Sequence, residues 1–158
     1  MKWVSEEMKG DRELCMAAVT QDWWALQWAS EEMKGDRELC MAAVAQNWQA
    51  LKWASEEMKG DRELCTAAVA QAGEALQCAS EEMKGDRELC MAAVAQDWRA
   101  FKHVGNEMKT DEAIVIAAID ACKKDMRYTS LPEAGNLWMN WLPESTKQNP
   151  HIRKAAGM

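Results

Sequence analysis

An all-α solenoid of antiparallel two-helix hairpins, about 25 residues to the repeat, is the fold this sequence predicts. Three observations predict it. The phrase Ala29-Ser30-Glu31-Glu32-Met33-Lys34-Gly35-Asp36-Arg37-Glu38-Leu39-Cys40 recurs almost unchanged from Ser5, from Ala54 and from Ala79, and a divergent copy runs from Val104. Inside each copy, as at Gly35-Asp36, a helix stop stands beside a helix start. Apolar residues then fall at helical spacing, with no room for a long loop. A unit of this size buries its apolar face only against its neighbours, so the copies must stack.

The elements follow in order. Lys2–Lys9 reads as a lone second helix, because Met1 aligns with Leu26 and Leu51 in mid-unit and the inner-helix partner is missing. That leaves the N-terminal end uncapped. Four hairpins span Asp11 to Lys109. In the unit whose inner helix runs from Asp36 to Gln46, Asp36 caps the start and Gly35 takes the left-handed position that ends the preceding helix. Leu39, Cys40, Met41, Ala42, Ala43 and Val44 leave no polar stripe, so this helix is expected to be buried on most sides. The outer helix is expected from Asn47 or Trp48 to Lys59, with Ala50, Leu51, Ala54 and Met58 on its buried side. A terminal inner helix runs from Asp111 to about Met126. The repeats thus fill residues 1–126. Residues 127–158 form an aromatic segment and a tail, in which Pro132 starts a short helix reaching Trp141, and Glu144–Met158 reads as irregular and polar.

Six cysteines invite a disulfide reading, but Cys15, Cys40, Cys65 and Cys90 hold one position in successive units. Neighbouring helices sit roughly 8–10 Å apart, beyond the roughly 7 Å that a disulfide allows. They read as a column of small, buried, reduced core residues. This points to a reducing compartment. A net charge of −7 argues against nucleic acid or an anionic membrane as the main partner. No apolar run approaches the length of a membrane span.

At the phrase A-L-K-W-A-S-E-E-M-K-G-D-R-E-L-C-M-A-A-V-A-Q the chain resembles a known family: tandem repeats of about 25 residues, classed as a domain of unknown function and abundant in protists, algae among them. The resemblance covers about Met1 to Cys122. It implies a helical repeat with an interaction role and brings no active site or cofactor with it. The family's abundance in algal protists points to a plastid assembly as the setting.

No residue pattern points to catalysis or to a metal. His103 and His151 lack a Cys or His at ligand spacing. The repeated serines, such as Ser30 and Ser55, read as packing or surface residues rather than four copies of a nucleophile. The Glu-Glu pairs point about 100° apart on a helix and share no ligand. Tryptophan is the feature that folding alone explains least. Trp3, Trp28 and Trp53 form one column and Trp23, Trp48 and Trp98 another. Gly73 interrupts the second column, and Cys78 and then His103 replace Trp in the first. A notch is expected there, edged by Trp48, Trp53, Trp98 and His103. Partner docking is expected at Trp138 and Trp141 of the tail and at Met1, Trp3 and Val4 of the uncapped end. The expectation is therefore a non-catalytic scaffold whose partners are other protein subunits, peripheral to a membrane complex at most. The alternative is a pigment or cofactor carrier using His103 and the Trp columns.

Overall fold

The computed structural model describes residues 5–125 and 138–157, and every regular element among them is helical. One unit shows how the rest are built. Ser30 caps a single turn, Glu31–Lys34, by accepting the Met33 N–H at 3.3 Å. Asp36 caps the ten-residue helix Arg37–Gln46 through the Leu39 N–H at 2.9 Å. Asn47 then caps a tight 3₁₀ helix, Trp48–Trp53, through the Gln49 N–H. Each cap satisfies a donor that the first helical turn leaves open. The ten-residue helices pack side by side along the array, and the 3₁₀ segments form a second row beside them.

The expected outer helix from Trp48 to Lys59 is not continuous. Ala54 and Ser55 are extended, at φ −64° and −63°, and a new turn starts at Glu56. The reason is Ser55 itself: its hydroxyl accepts the Met58 N–H at 3.3 Å, which requires the non-helical backbone of a cap. The repeated serines are caps rather than packing residues. The expected left-handed glycine is also corrected. Gly35 sits at φ −91°, ψ −7°, in the right-handed region. Space selects glycine here, since an added Cβ would lie 3.3 Å from the Glu32 carbonyl oxygen and 3.7 Å from Ser55 Oγ of the next unit. The inner helix is buried on one broad face, Leu39, Cys40, Ala43 and Val44, while Ala45 and Gln46 are exposed.

Two ladders bind unit to unit, and a thiol contact within each unit meets the first of them. Backbone N–H groups of Ser30, Ser55, Ser80 and Gly105 donate to the carbonyls of Lys9, Lys34, Lys59 and Lys84, each at 2.9 Å. The same lysine carbonyls take the cysteine thiols of their own units: Cys40 to Lys34 and Cys65 to Lys59 at 3.1 Å, Cys90 to Lys84 at 3.0 Å. A carbonyl has two lone pairs, and here both are used. Cysteine fits because it is small, tolerates burial and can still donate. On the surface, Arg12 reaches Asp36 and Glu38, Arg37 reaches Asp61 and Glu63, and Arg62 reaches Asp86 and Glu88. The Ser, Lys, Asp, Arg and last Glu positions of the repeated phrase thus each find a partner in a neighbouring copy.

Burial pushes Cys40 up to about 12 and Cys65 and Cys90 up to about 11, so these thiols stay protonated and unreactive at neutral pH. All six cysteines are free, and Cys78 alone is only half-buried. Native alkylation at pH 8 should label Cys78 first and the column only after unfolding. Peptide mapping that found Cys65 modified as fast as Cys78 would contradict this packing.

The tail is not irregular. Helices Glu144–Lys147 and Pro150–Ala156 form there. Leu142-Pro143-Glu144-Ser145-Thr146-Lys147-Gln148-Asn149-Pro150-His151-Ile152 aligns with Ala54 to Leu64, so it is a degenerate further unit. Glu144 pairs with Lys147 as Glu56 pairs with Lys59. Asn149 caps the second helix as Asp61 does. The surface rung is rebuilt with its polarity reversed. Glu112 stands where Arg87 stands one unit earlier, and it meets Asn149 at 3.0 Å and His151 at 2.8 Å. Pro143 stands where Ser55 and Ser80 donate backbone N–H groups, so the backbone ladder ends there. Ile152, only 1% exposed, closes the core beneath the terminal helix Glu112–Lys124.

The ladder carboxylates also set the acid response. The Arg87 hydrogen bond holds Asp111 below its usual range, and the His151 and Asn149 contacts do the same for Glu112. A depressed carboxylate contributes stability above its unfolded pKa, about 4, and loses it as pH falls through the folded value. Melting temperature should therefore hold down to about pH 5 and fall below about pH 4. A flat melting profile down to pH 3 would show that the rungs contribute nothing.

Candidate functional site

The aromatic surface starts from the 3₁₀ helix Trp23–Trp28. Asp22 caps it through the Trp24 N–H at 3.0 Å, and six residues of 3₁₀ spacing place Trp23, Trp24 and Trp28 close together. Trp24 meets the edge of Trp23 at 5.1 Å between ring centroids and that of Trp53 in the next unit at 5.9 Å. The indole N–H groups of Trp24 and Trp28 both donate to the Gln27 side-chain oxygen once that amide is turned to accept. Even so, Trp24 is 45% and Trp28 48% exposed. Two half-exposed indoles side by side carry more apolar area than an isolated surface residue does.

Beside them lies a concavity of about 740 Å³, walled by Trp24, Trp48 and Trp53 and floored by Cys78. Lys52, Lys59 and Lys84 edge it, together with Glu56 and Glu81. Lys52 Nζ stands 5.2 Å from the Trp53 ring centroid, a cation over an aromatic face. Lys59 and Lys84 pair with Glu56 and Glu81 at 2.8 Å. Those lysine side chains are only about a fifth exposed, while the two glutamates are over 80% exposed. Burial raises the Cys78 thiol's pKa, and Lys59, Lys52 and Lys84 pull it back down.

The expected notch is thus divided by the structure. Cys78, Trp48 and Trp53 line the concavity, whereas Gly73, Trp98 and His103 do not. Gly73 is fully packed: a Cβ there would lie 2.4 Å from the Ala93 carbonyl oxygen, because the next long helix has closed onto it. Trp98 is buried and stacks on Trp141 of the tail at 6.0 Å. His103 is half-buried, and its Nε2 has no hydrogen-bond partner among the described residues. Burial first, and then Lys102 and Lys84, hold it below the ordinary histidine range, so it is neutral.

Of the expected docking residues, Trp141 anchors the tail to the array through Trp98. Met1, Trp3 and Val4 lie outside the described residues, as does the side chain of Trp138. At the N-terminal face Met8 is 45% and Leu14 37% exposed, whereas their counterparts Met33 and Leu39 are buried. Among the described residues no cluster of His, Cys, Asp and Glu is arranged to hold a metal ion, and no helix is long and apolar enough to cross a membrane.

Sequence reasoning did not single out Trp24 or the three lysines. Trp24 carried a signal: Gln49, Glu74 and Arg99 hold its place in the other copies, so it departs from the pattern. Lys59 and Lys84 carried none, because they belong to the invariant phrase, whereas Lys52 stands where Gln27 and Gln77 stand in other copies.

The profile of a family described as a domain of unknown function (DUF4116) matches residues 1–34, 11–59, 36–84, 61–109 and 86–133. No curated protein and no solved structure matches the chain.

Proposed function

Because the chain belongs to the DUF4116 family, tandem repeats of about 25 residues with no assigned activity, its function has to be read from its surface, and we propose a non-catalytic scaffold that binds other protein subunits. The observation that carries this reading is the exposed indole pair, Trp24 and Trp28, at the mouth of an aromatic concavity. Tryptophan is the residue type most enriched at binding hot spots. Repeated ladders hold these side chains on a stiff frame, so little conformational freedom is lost on binding.

The test is the double change Trp24→Ser and Trp28→Ser. Both indoles are about half-exposed, and Trp24 also packs on Trp23 and Trp53, so the double change should cost about 1–2 kcal/mol. Complexes purified on the wild-type chain and on the variant are compared by quantitative mass spectrometry. Subunits should be lost from the variant at temperatures where it is still folded. Identical complexes would remove the indole pair from the interface. An algal plastid complex, which the family resemblance suggests, is the setting to try first, and fractionation of the host cell decides it.

One observation favours a second reading, the carriage of a pigment or cofactor. The neutral His103 keeps a buried, unpartnered ring nitrogen. Native protein would then show a visible absorption band that is lost in His103→Ala. A colourless preparation from the native host removes this reading.

A further inference from the structure

We propose that the Cys78 concavity is a binding site for a planar aromatic group carrying a carboxylate, either a free aromatic acid or an aromatic side chain beside acidic residues. The inference stands apart from the scaffold reading, since it concerns one pocket and a ligand of any size.

The argument starts from the repeat itself. Cys78 stands where Trp53 and Trp28 stand one and two units earlier. The backbone around it is unchanged: the 3₁₀ helix Gly73–Cys78 ends in an extended Ala79, as Trp48–Trp53 ends in Ala54. At Gly73 the missing indole has been made good by the next helix closing in, to within 2.4 Å of where a Cβ would sit. At Cys78 nothing has closed in, and about 740 Å³ remains. That is within the range of pockets that hold small ligands, about 300–1,000 Å³. The site is an indole position without its indole, still lined by Trp48 and Trp53. An aromatic ring is the shape such walls accept, by stacked or edge contacts.

Charge selects the substituent. Three lysines edge the cavity against two glutamates. Both glutamates are over 80% exposed, while Lys59 and Lys84 are mostly covered. Lys52 makes no ion pair among the described residues and is held over Trp53. An incoming carboxylate gains Lys52 directly. It displaces at most solvent-exposed pairs, which are worth about 1 kcal/mol or less. A ligand ammonium would instead meet three lysines.

The test uses the full chain and defined probes. Calorimetric titration with 3-indolepropionate should show saturable one-to-one binding, about tenfold tighter than tryptamine, which has the same ring and the opposite charge. Cys78→Trp fills the site with the repeat's own residue and should abolish binding without lowering the melting temperature. Lys52→Glu, an exposed change, is the second variant and should invert the preference between the two probes. A blocked Glu-Trp-Glu peptide distinguishes the sources: tighter binding than the free acid identifies a protein segment, and weaker binding a free aromatic acid. The proposal is overturned if neither probe saturates, if tryptamine binds as well as the acid, or if both variants bind like wild type.

Discussion

Gly73→Trp should be the most damaging single substitution in the array, although it restores the residue found at Trp48 and Trp98. A Cβ at position 73 would lie 2.4 Å from the Ala93 carbonyl oxygen and 3.3 Å from the Asp97 Cβ. That carbonyl is backbone, and it already accepts the Asp97 N–H at 3.0 Å, so it cannot swing aside. Even Gly73→Ala should cost about 1–3 kcal/mol through overpacking, and an indole more. The inward shift has a second trace. Gln46 and Gln71 donate to the carbonyls of Val19 and Val44, whereas Gln96 donates to Ala70, one residue further along. Urea unfolding of Gly73→Ala, Gly73→Trp and Cys78→Trp separates the two interrupted columns. The first two should lose midpoint in that order, and the third should hold it or gain. Equal stability of Gly73→Trp and wild type would show that this interface has not closed.

Ile152→Ala should release the C-terminal unit. The side chain is 1% exposed at the end of the core, and truncating a buried isoleucine costs about 2–5 kcal/mol. In a stacked array each unit touches only its neighbours, so the loss should be local. Amide exchange should quicken across Pro150–Ala156 and the facing helix Glu112–Lys124, while Arg37–Gln46 stays protected. Glu112→Arg is the companion change. It writes the array's usual arginine back into a rung whose partners are now Asn149 and His151, and so removes the carboxylate that both of them meet. It should weaken the cap more than Glu112→Gln, which can still accept from Asn149. Uniform loss of protection along the whole chain would refute the one-dimensional picture.

The array was legible because its signals are local and repeated. Gly35-Asp36 marks a stop and a cap within two residues, and Leu39, Cys40, Ala43 and Val44 mark one face at helical spacing. The break at Ala54-Ser55 was misread for the same reason: a Ser cap and a helix-interior Ser share their neighbours in sequence, and Ala-Leu-Lys-Trp-Ala-Ser-Glu-Glu-Met keeps a helical period across the break. The tail unit was missed because it sits thirteen residues out of the 25-residue register, and nearly every signature letter has changed.

By itself, then, the sequence determined the class, the repeat length, the positions of the long helices, and a cysteine column that is buried rather than bridged. These rest on short-range propensity and on a period that recurs five times. Only the tertiary structure decided what became of each missing tryptophan. Gly73 and Cys78 are the same event in sequence, a large side chain lost from a column. Whether the space closes or stays open depends on the neighbouring unit. The long helix beside Gly73 could move onto bare backbone, because a glycine leaves no side chain in the way. At Cys78 the fixed Trp48 and Trp53 and the laddered Lys59 and Lys84 hold the walls apart. Packing between units, to which no single copy of the repeat refers, turned one vacancy into core and left the other as a pocket.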